Sequence, residues 1–219
     1  MLLTNGVGFQ AEFDLSFADA AAPPSLTGRI FVRGEKILLQ SAPAKSKSAS
    51  AGEFNLMWNE TAGQGFFSSE SLQGFAPIGR TVHVANLAVQ KIASPAPPLD
   101  GRPMDIADAT ATDDSGKSQT FEWMRASDAG DLPTQIRSLN APRNFTLTLA
   151  KIQPGRPPEE MFLPPDGFTK YPSPAALLEE LASRQREVLG GGYRHSTETG
   201  ADSGEGGHRR NRGAQDNPP

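Results

Sequence analysis

Phe9, Ala11, Phe13, Leu15 and Phe17 alternate with Gln10, Glu12, Asp14 and Ser16. Period two is that of a half-buried strand, and its aromatic face needs a partner surface that one strand cannot supply. The same alternation returns at residues 26–33 and 36–40, which form a hairpin around Gly34-Glu35, and at 54–59 and 65–69, which form a second one. Residues 70–79 read as irregular, punctuated by Gly74, Pro77 and Gly79. A longer strand follows at 80–92, and its parity slips near Ala85-Asn86, which predicts a bulge. Residues 102–110 and 118–125 flank a turn at Asp113-Asp114-Ser115-Gly116, and 133–139 with 144–152 complete the set. About ten strands with short connections, and no helical period before Ser173, predict a mainly β fold. Its form is a single curved antiparallel sheet, a half-barrel, since crossover helices for a parallel sheet are missing.

The one helix is predicted over residues 173–189, with Ser173 as N-cap and Pro174 at the first helical position. Leu177, Leu178, Leu181 and Val188 would form its apolar stripe, and Gly190-Gly191-Gly192 would stop it. That stripe needs a surface, and the concave side of the sheet is the one on offer. Phe162 and Phe168 are expected to pin the proline-rich connector between the last strand and this helix. The sequence thus divides into a folded unit, residues 1–189, and a disordered Gly/polar tail, residues 190–219, whose only large apolar residue is Tyr193. Four arginines balance four acidic residues in the tail, so the net charge of −4 belongs to residues 1–189. A mildly acidic body of this kind argues against nucleic-acid binding. Cysteine is absent, which removes disulfides, thiolate nucleophiles and thiolate metal ligands from this chain. The first residues carry neither a basic segment nor an apolar run of signal-peptide length.

Several segments together resemble the lipoprotein-carrier-like domains of bacterial envelopes, the LolA and LolB superfamily. They are Gly8-Phe9-Gln10-Ala11-Glu12-Phe13, the glycine-led hairpin Gly28-Arg29-Ile30-Phe31-Val32-Arg33-Gly34-Glu35-Lys36, and Phe121-Glu122-Trp123 followed by Leu132-Pro133. The fourth is Leu149-Ala150-Lys151-Ile152 running to Phe162, Pro165, Gly167 and Phe168. The likeness extends over roughly residues 8–171. It implies a half-barrel whose concave side accepts acyl chains, and a periplasmic or outer-membrane-associated setting.

No catalytic motif is present. His83 is the only histidine outside the tail, and neither Gly-x-Ser-x-Gly nor His-Glu-x-x-His occurs, so no enzyme activity is expected. Asp100, Asp105, Asp108, Asp113 and Asp114 lack the alternation and terminal glutamate of a calcium loop. No metal and no cofactor is expected. The candidate ligand-groove residues are Phe13, Phe17, Ile30, Phe54, Leu56, Trp58, Phe121, Trp123 and Leu147 on strands, with Leu177 and Leu181 on the helix. A packed core uses such residues as readily as a lined cavity does. Two functions therefore stand side by side. One is a non-enzymatic envelope protein holding a hydrophobic ligand or an acylated protein, with peripheral envelope association. The other is an envelope scaffold with a filled core and a protein partner.

Overall fold

The computed structural model describes residues 8–18, 25–42, 54–79, 84–92, 103–126, 132–140 and 144–190. The strands are β1 (Phe9–Phe17), β2 (Leu26–Arg33), β3 (Lys36–Ser41), β4 (Phe54–Asn59), β5 (Gln64–Ser69), β6 (Gly74–Gly79), β7 (Val84–Ile92), β8 (Met104–Asp113), β9 (Ser118–Ala126), β10 (Gln135–Ser138), β11 (Phe145–Pro154) and β12 (Thr169–Lys170). A 3-10 turn, Glu159–Phe162, and one helix, α1 (Pro174–Gly190), complete the elements. His83 and residues 191–219 lie outside the described residues, as does the side chain of Val188.

The strands form one sheet in the order β12-β6-β5-β4-β3-β2-β1-β11-β10-β9-β8-β7. This order requires the sheet to curl. Ten inter-strand steps separate β6 from β7, a path of about 48 Å at about 4.8 Å per step. Yet only residues 80–83 join Gly79 to Val84, and a link of that length reaches about 18 Å at most. A flat sheet would tear the link, so the two margins are drawn together and the sheet stays open only across that gap.

Twelve strands replace the ten expected, and β6 and β12 account for the difference. Residues 70–79 are not irregular. Pro77 and the glycines hide a strand there because β6 sits near a margin, where an N–H on the outward side is dispensable. The bulge near Ala85-Asn86 is present as a register shift between Val84 and Asn86. The Asp113 turn also forms as read, with Asp113 Oδ1 accepting from Ser115 Oγ (2.6 Å) and from the Ser115 and Lys117 amides (both 2.9 Å).

Register assigns each residue to a face. On β1, Phe9, Ala11 and Phe13 are buried, while Gln10, Glu12 and Asp14 are exposed. The apolar face is therefore the inner one. One inner row runs Ala76–Phe67–Leu56–Leu39–Ile30–Ala11 through six neighbouring strands. Below it, Phe9, Ala11, Phe13, Ile30, Val32, Leu132 and Leu149 form the main core. Gly28 makes room for that core: a Cβ there would overlap the Gln40 carbonyl oxygen and stand 2.9 Å from Phe13 Cε1. Gly28→Ala is expected to cost about 1–3 kcal/mol by overpacking, read from chemical denaturation. A cost near zero would mean that the β3 backbone at Gln40 yields along with the Phe13 ring.

From β10 to β1 the sheet is apolar on one side only, whereas at the β7–β9 end Ile92, Ile106 and Met124 line up in register on the outer face. In the β2–β6 half the outer face carries its own row, Phe31–Leu38–Met57–Phe66, in direct cross-strand register. The one-sided sheet expected from the sequence is corrected here. The chain after β11 supplies the cover: Phe162 is 2% exposed and packs with Phe31 and Leu38, with Met57 and Met161 beside them. Arg33 donates to the Pro157 carbonyl (2.7 Å), and Glu159 takes Lys36 Nζ (2.7 Å) and Arg33 Nη2 (3.2 Å).

From that outer anchor the chain rounds the margin. Thr169 and Lys170 pair in parallel with Gly74 and Phe75, and Tyr171 N–H donates to Phe75 O (2.7 Å). Gly74 is bare so that the Tyr171 ring can lie against it; a Cβ would stand 2.6 Å from Tyr171 Cε2. Ser173 then caps α1, its Oγ accepting from Ala176 N–H (3.2 Å). Leu177 and Leu181 are buried with Leu72 and Ala76, flanked by Phe54, Phe67 and Tyr171. Leu178 is 45% exposed and leaves the expected stripe. It lies about 100° round the helix from Leu177, off the face that meets Leu72 and Ala76. Residues 155–190 are thus a clamp, with a plug outside, a strand at the rim and a helix inside.

The lysine hydrogen bond and the two nearby cations hold the Glu159 carboxyl below the usual glutamate value. A lowered folded-state pKa gives stability that is present above the ordinary value and lost as pH falls through the folded one. Acid is therefore expected to loosen the plug. Melting temperatures followed from neutral to roughly pH 3 should fall more for the wild type than for Glu159→Gln. Parallel curves would contradict this.

Candidate functional site

All nine strand residues singled out in the sequence fall on the inner face. Cross-strand pairs place Phe13 opposite Leu149, Phe17 opposite Phe145, and Leu56 opposite Leu39 and Phe67. They also place Ile30 opposite Ala11, Trp58 opposite Ile37, and Phe54 opposite Ser69. Phe121 faces Ser138, and Trp123 faces Ile136. The face does not treat them alike. Phe13 and Ile30 are closed within the main core. Phe54, Leu177 and Leu181 belong to the packed cluster beneath α1. Phe17, Leu56, Trp58, Phe121, Trp123 and Leu147 keep part of their surface exposed.

The open part has a definite axis. A second inner row, Leu26–Leu15–Leu147–Ile136–Trp123–Ala107, runs from β2 to β8 in direct register. Five of its six members are half-buried, and Ile136 is the closed one. Alongside it, the Phe121 and Phe145 rings lie 6.3 Å apart at 51°. Leu15, Leu26 and Leu147 pack against the main core, and the part of the row that stays accessible is a continuous apolar surface of the kind that marks interaction sites. Leu15, Leu26 and Phe145 were not singled out from the sequence. All three were legible as continuations of the β1, β2 and β11 alternations.

At the β7 end the row meets a hollow of ≈ 140 Å³ lined by Val89, Ile92, Ile106, Ala107 and Trp123. Asp105 and Arg125 also line it and pair with each other, Nε to Oδ2, at 3.3 Å. Trp123 Nε1 is buried and makes no hydrogen bond, a donor left without the compensation that such groups normally find. The outer face has polar hollows instead. One of ≈ 200 Å³ is ringed by Gln10, Glu12, Arg29, Lys151 and Gln153, where Lys151 adopts φ 51° and pairs with Glu12 at 2.8 Å. None of these hollows touches α1.

The inner row suits apolar contact. No group of three or more His, Asp or Glu side chains stands close enough to hold a metal among the described residues. Asp105 is taken by Arg125 and Asp113 by its own turn.

No protein-family model matches the chain, and no curated protein sequence does. Among solved structures, PNGF-II in two crystal forms aligns at TM-scores of 0.42 and 0.43 with 12% identity, over 82% of this chain and 33% and 34% of that one. The chain therefore spans about a third of the length of PNGF-II. LprF from Mycobacterium bovis aligns at a TM-score of 0.35 with 8% identity, over 75% of this chain and 91% of that one. Alignments this loose bear on neither ligand nor reaction.

Proposed function

We propose that this chain is a non-enzymatic protein of the bacterial envelope that holds an apolar ligand of the acyl-chain class against the inner face of its curled sheet. The half-buried row Leu26–Leu15–Leu147–Ile136–Trp123–Ala107 supports this reading above all. It offers a continuous track of aliphatic and aromatic surface with no charge on it. Each methylene laid along such a track contributes about 0.8 kcal/mol, so affinity rises with chain length and needs no catalytic group. The resemblance of residues 8–171 to lipoprotein-carrier-like domains favours the same ligand class and the envelope setting.

The packing beneath α1 favours the scaffold reading for that end of the molecule. Leu177 and Leu181 are closed against Leu72 and Ala76, with Phe54, Phe67 and Tyr171 around them. A protein partner at that end would meet the outside of the clamp.

Delipidated protein titrated with a fluorescent fatty acid tests the proposal. Saturable binding, displaced by unlabelled fatty acid of increasing length in order of length, is expected. No saturable binding would overturn it and leave the scaffold reading.

A further inference from the structure

The sheet guards its two margins differently. At one, β6 contains Pro77, β12 pairs with Gly74 and Phe75, and α1 packs over the inner side. Proline, a short capping strand and a covering helix are the usual defences of a strand edge. At the other, β7 presents nine residues with no proline and one ionisable residue, Lys91, and no described strand follows it. Along it Val89 is 49% and Ile92 36% exposed. A row of N–H and C=O groups in this state is a template for an extended backbone.

The curl decides what can use that template. A second copy adding its own β7 would continue the same arc, and its sheet would run into the β6–α1 margin that closes the circle. The link of residues 80–83 limits the separation of the margins to about 18 Å at one end, less than another sheet needs at about 4.8 Å per strand. The side chains beside the margin add a preference. Leu87 and Val89 lie on the inner face opposite Ala111 and Ala109. Behind Val89 lies the ≈ 140 Å³ hollow, lined by apolar side chains and the Asp105–Arg125 pair, and Trp123 on its wall carries the unsatisfied N–H.

We propose that β7 is a docking edge for one extended segment of another polypeptide, with apolar side chains at alternate positions. Its main chain adds a strand to β7, its apolar side chains line up with Leu87 and Val89, and one of them enters the hollow. This goes beyond the acyl-chain reading and does not depend on it.

The probe is an end-blocked octapeptide of alternating valine and threonine, titrated into the full chain. Tryptophan fluorescence and amide hydrogen exchange are the readouts. Saturable binding with new protection on the β7 amides is expected. N-methylation of the peptide amides along one side should weaken binding about tenfold by removing two or three main-chain hydrogen bonds. Val89→Asp should weaken it by a similar factor, and Ile78→Asp at the guarded margin should leave it unchanged. Absence of saturable binding, equal binding of the N-methylated peptide, or protection on β6 in place of β7 would overturn the proposal. So would a concentration-dependent dimer that the peptide dissolves, which gives the edge to a second copy. A gain in peptide affinity on removing residues 191–219 would also overturn it, by giving the edge to the tail.

Discussion

Phe162→Ala is expected to destabilise the protein by about 3–5 kcal/mol, the cost of emptying a phenylalanine site in a packed interior. Phe162 is 2% exposed against Phe31 and Leu38, which are 6% and 1% exposed, so little is left to collapse into the hole. For a chain of this length the melting temperature should fall on the order of 10 °C. The effect should also travel. The same segment that carries Phe162 rounds the β6 margin and delivers α1 to the inner face, so losing the outer plug should make α1 more accessible to protease. Phe168 is half-buried and has no place in the Phe31–Leu38 cluster. Phe168→Ala is therefore expected to cost only about 1 kcal/mol. Equal losses from the two substitutions would show that the connector is held by something other than the outer plug.

Leu147→Asp is expected to weaken acyl-chain binding at least roughly tenfold, because a carboxylate on an apolar track must be desolvated under the ligand. Leu147 stands mid-row between Leu15 and Ile136. It is only half-buried, so the fold should survive the change while the track does not. Thr148 is the next residue and projects to the outer face beside Gln135 and Asp14. Thr148→Asp is the matched control, with the same charge on the same strand and the other face. Fatty-acid titration and thermal melting of both variants separate the two effects. If both substitutions weakened binding alike, the inner face would not be the binding surface.

Much of this was legible from period two alone. The β1 alternation gave the face of five residues directly, and every strand residue chosen from the sequence lies on that face. What the period could not give is depth. Phe13 and Phe17 look equivalent in the sequence, yet Phe13 is buried under Leu149 and Gly28 while Phe17 is partly open, because burial falls along β1 towards its end. The outer row was visible in part: Phe31, Leu38, Met57 and Phe66 are each apolar on the supposedly polar parity. They escape notice because each is a lone exception within its own strand, and only register shows that the exceptions align. β6 was hidden by Pro77, which is tolerable at a margin and disruptive elsewhere. The clamp required knowing that β6 is a margin, and strand order is a long-range property that no local pattern encodes.

The most direct measurement is photo-cross-linking with a fatty acid that carries a reactive group at its tail, followed by peptide mapping. Adducts competed away by unlabelled fatty acid are expected on the inner-face row, at Leu15, Leu26, Trp123 and Leu147 and at neighbouring Phe17 and Phe145. Adducts on the outer cluster of Phe31, Met57 and Met161, or adducts that unlabelled fatty acid does not suppress, would contradict an acyl-binding inner face.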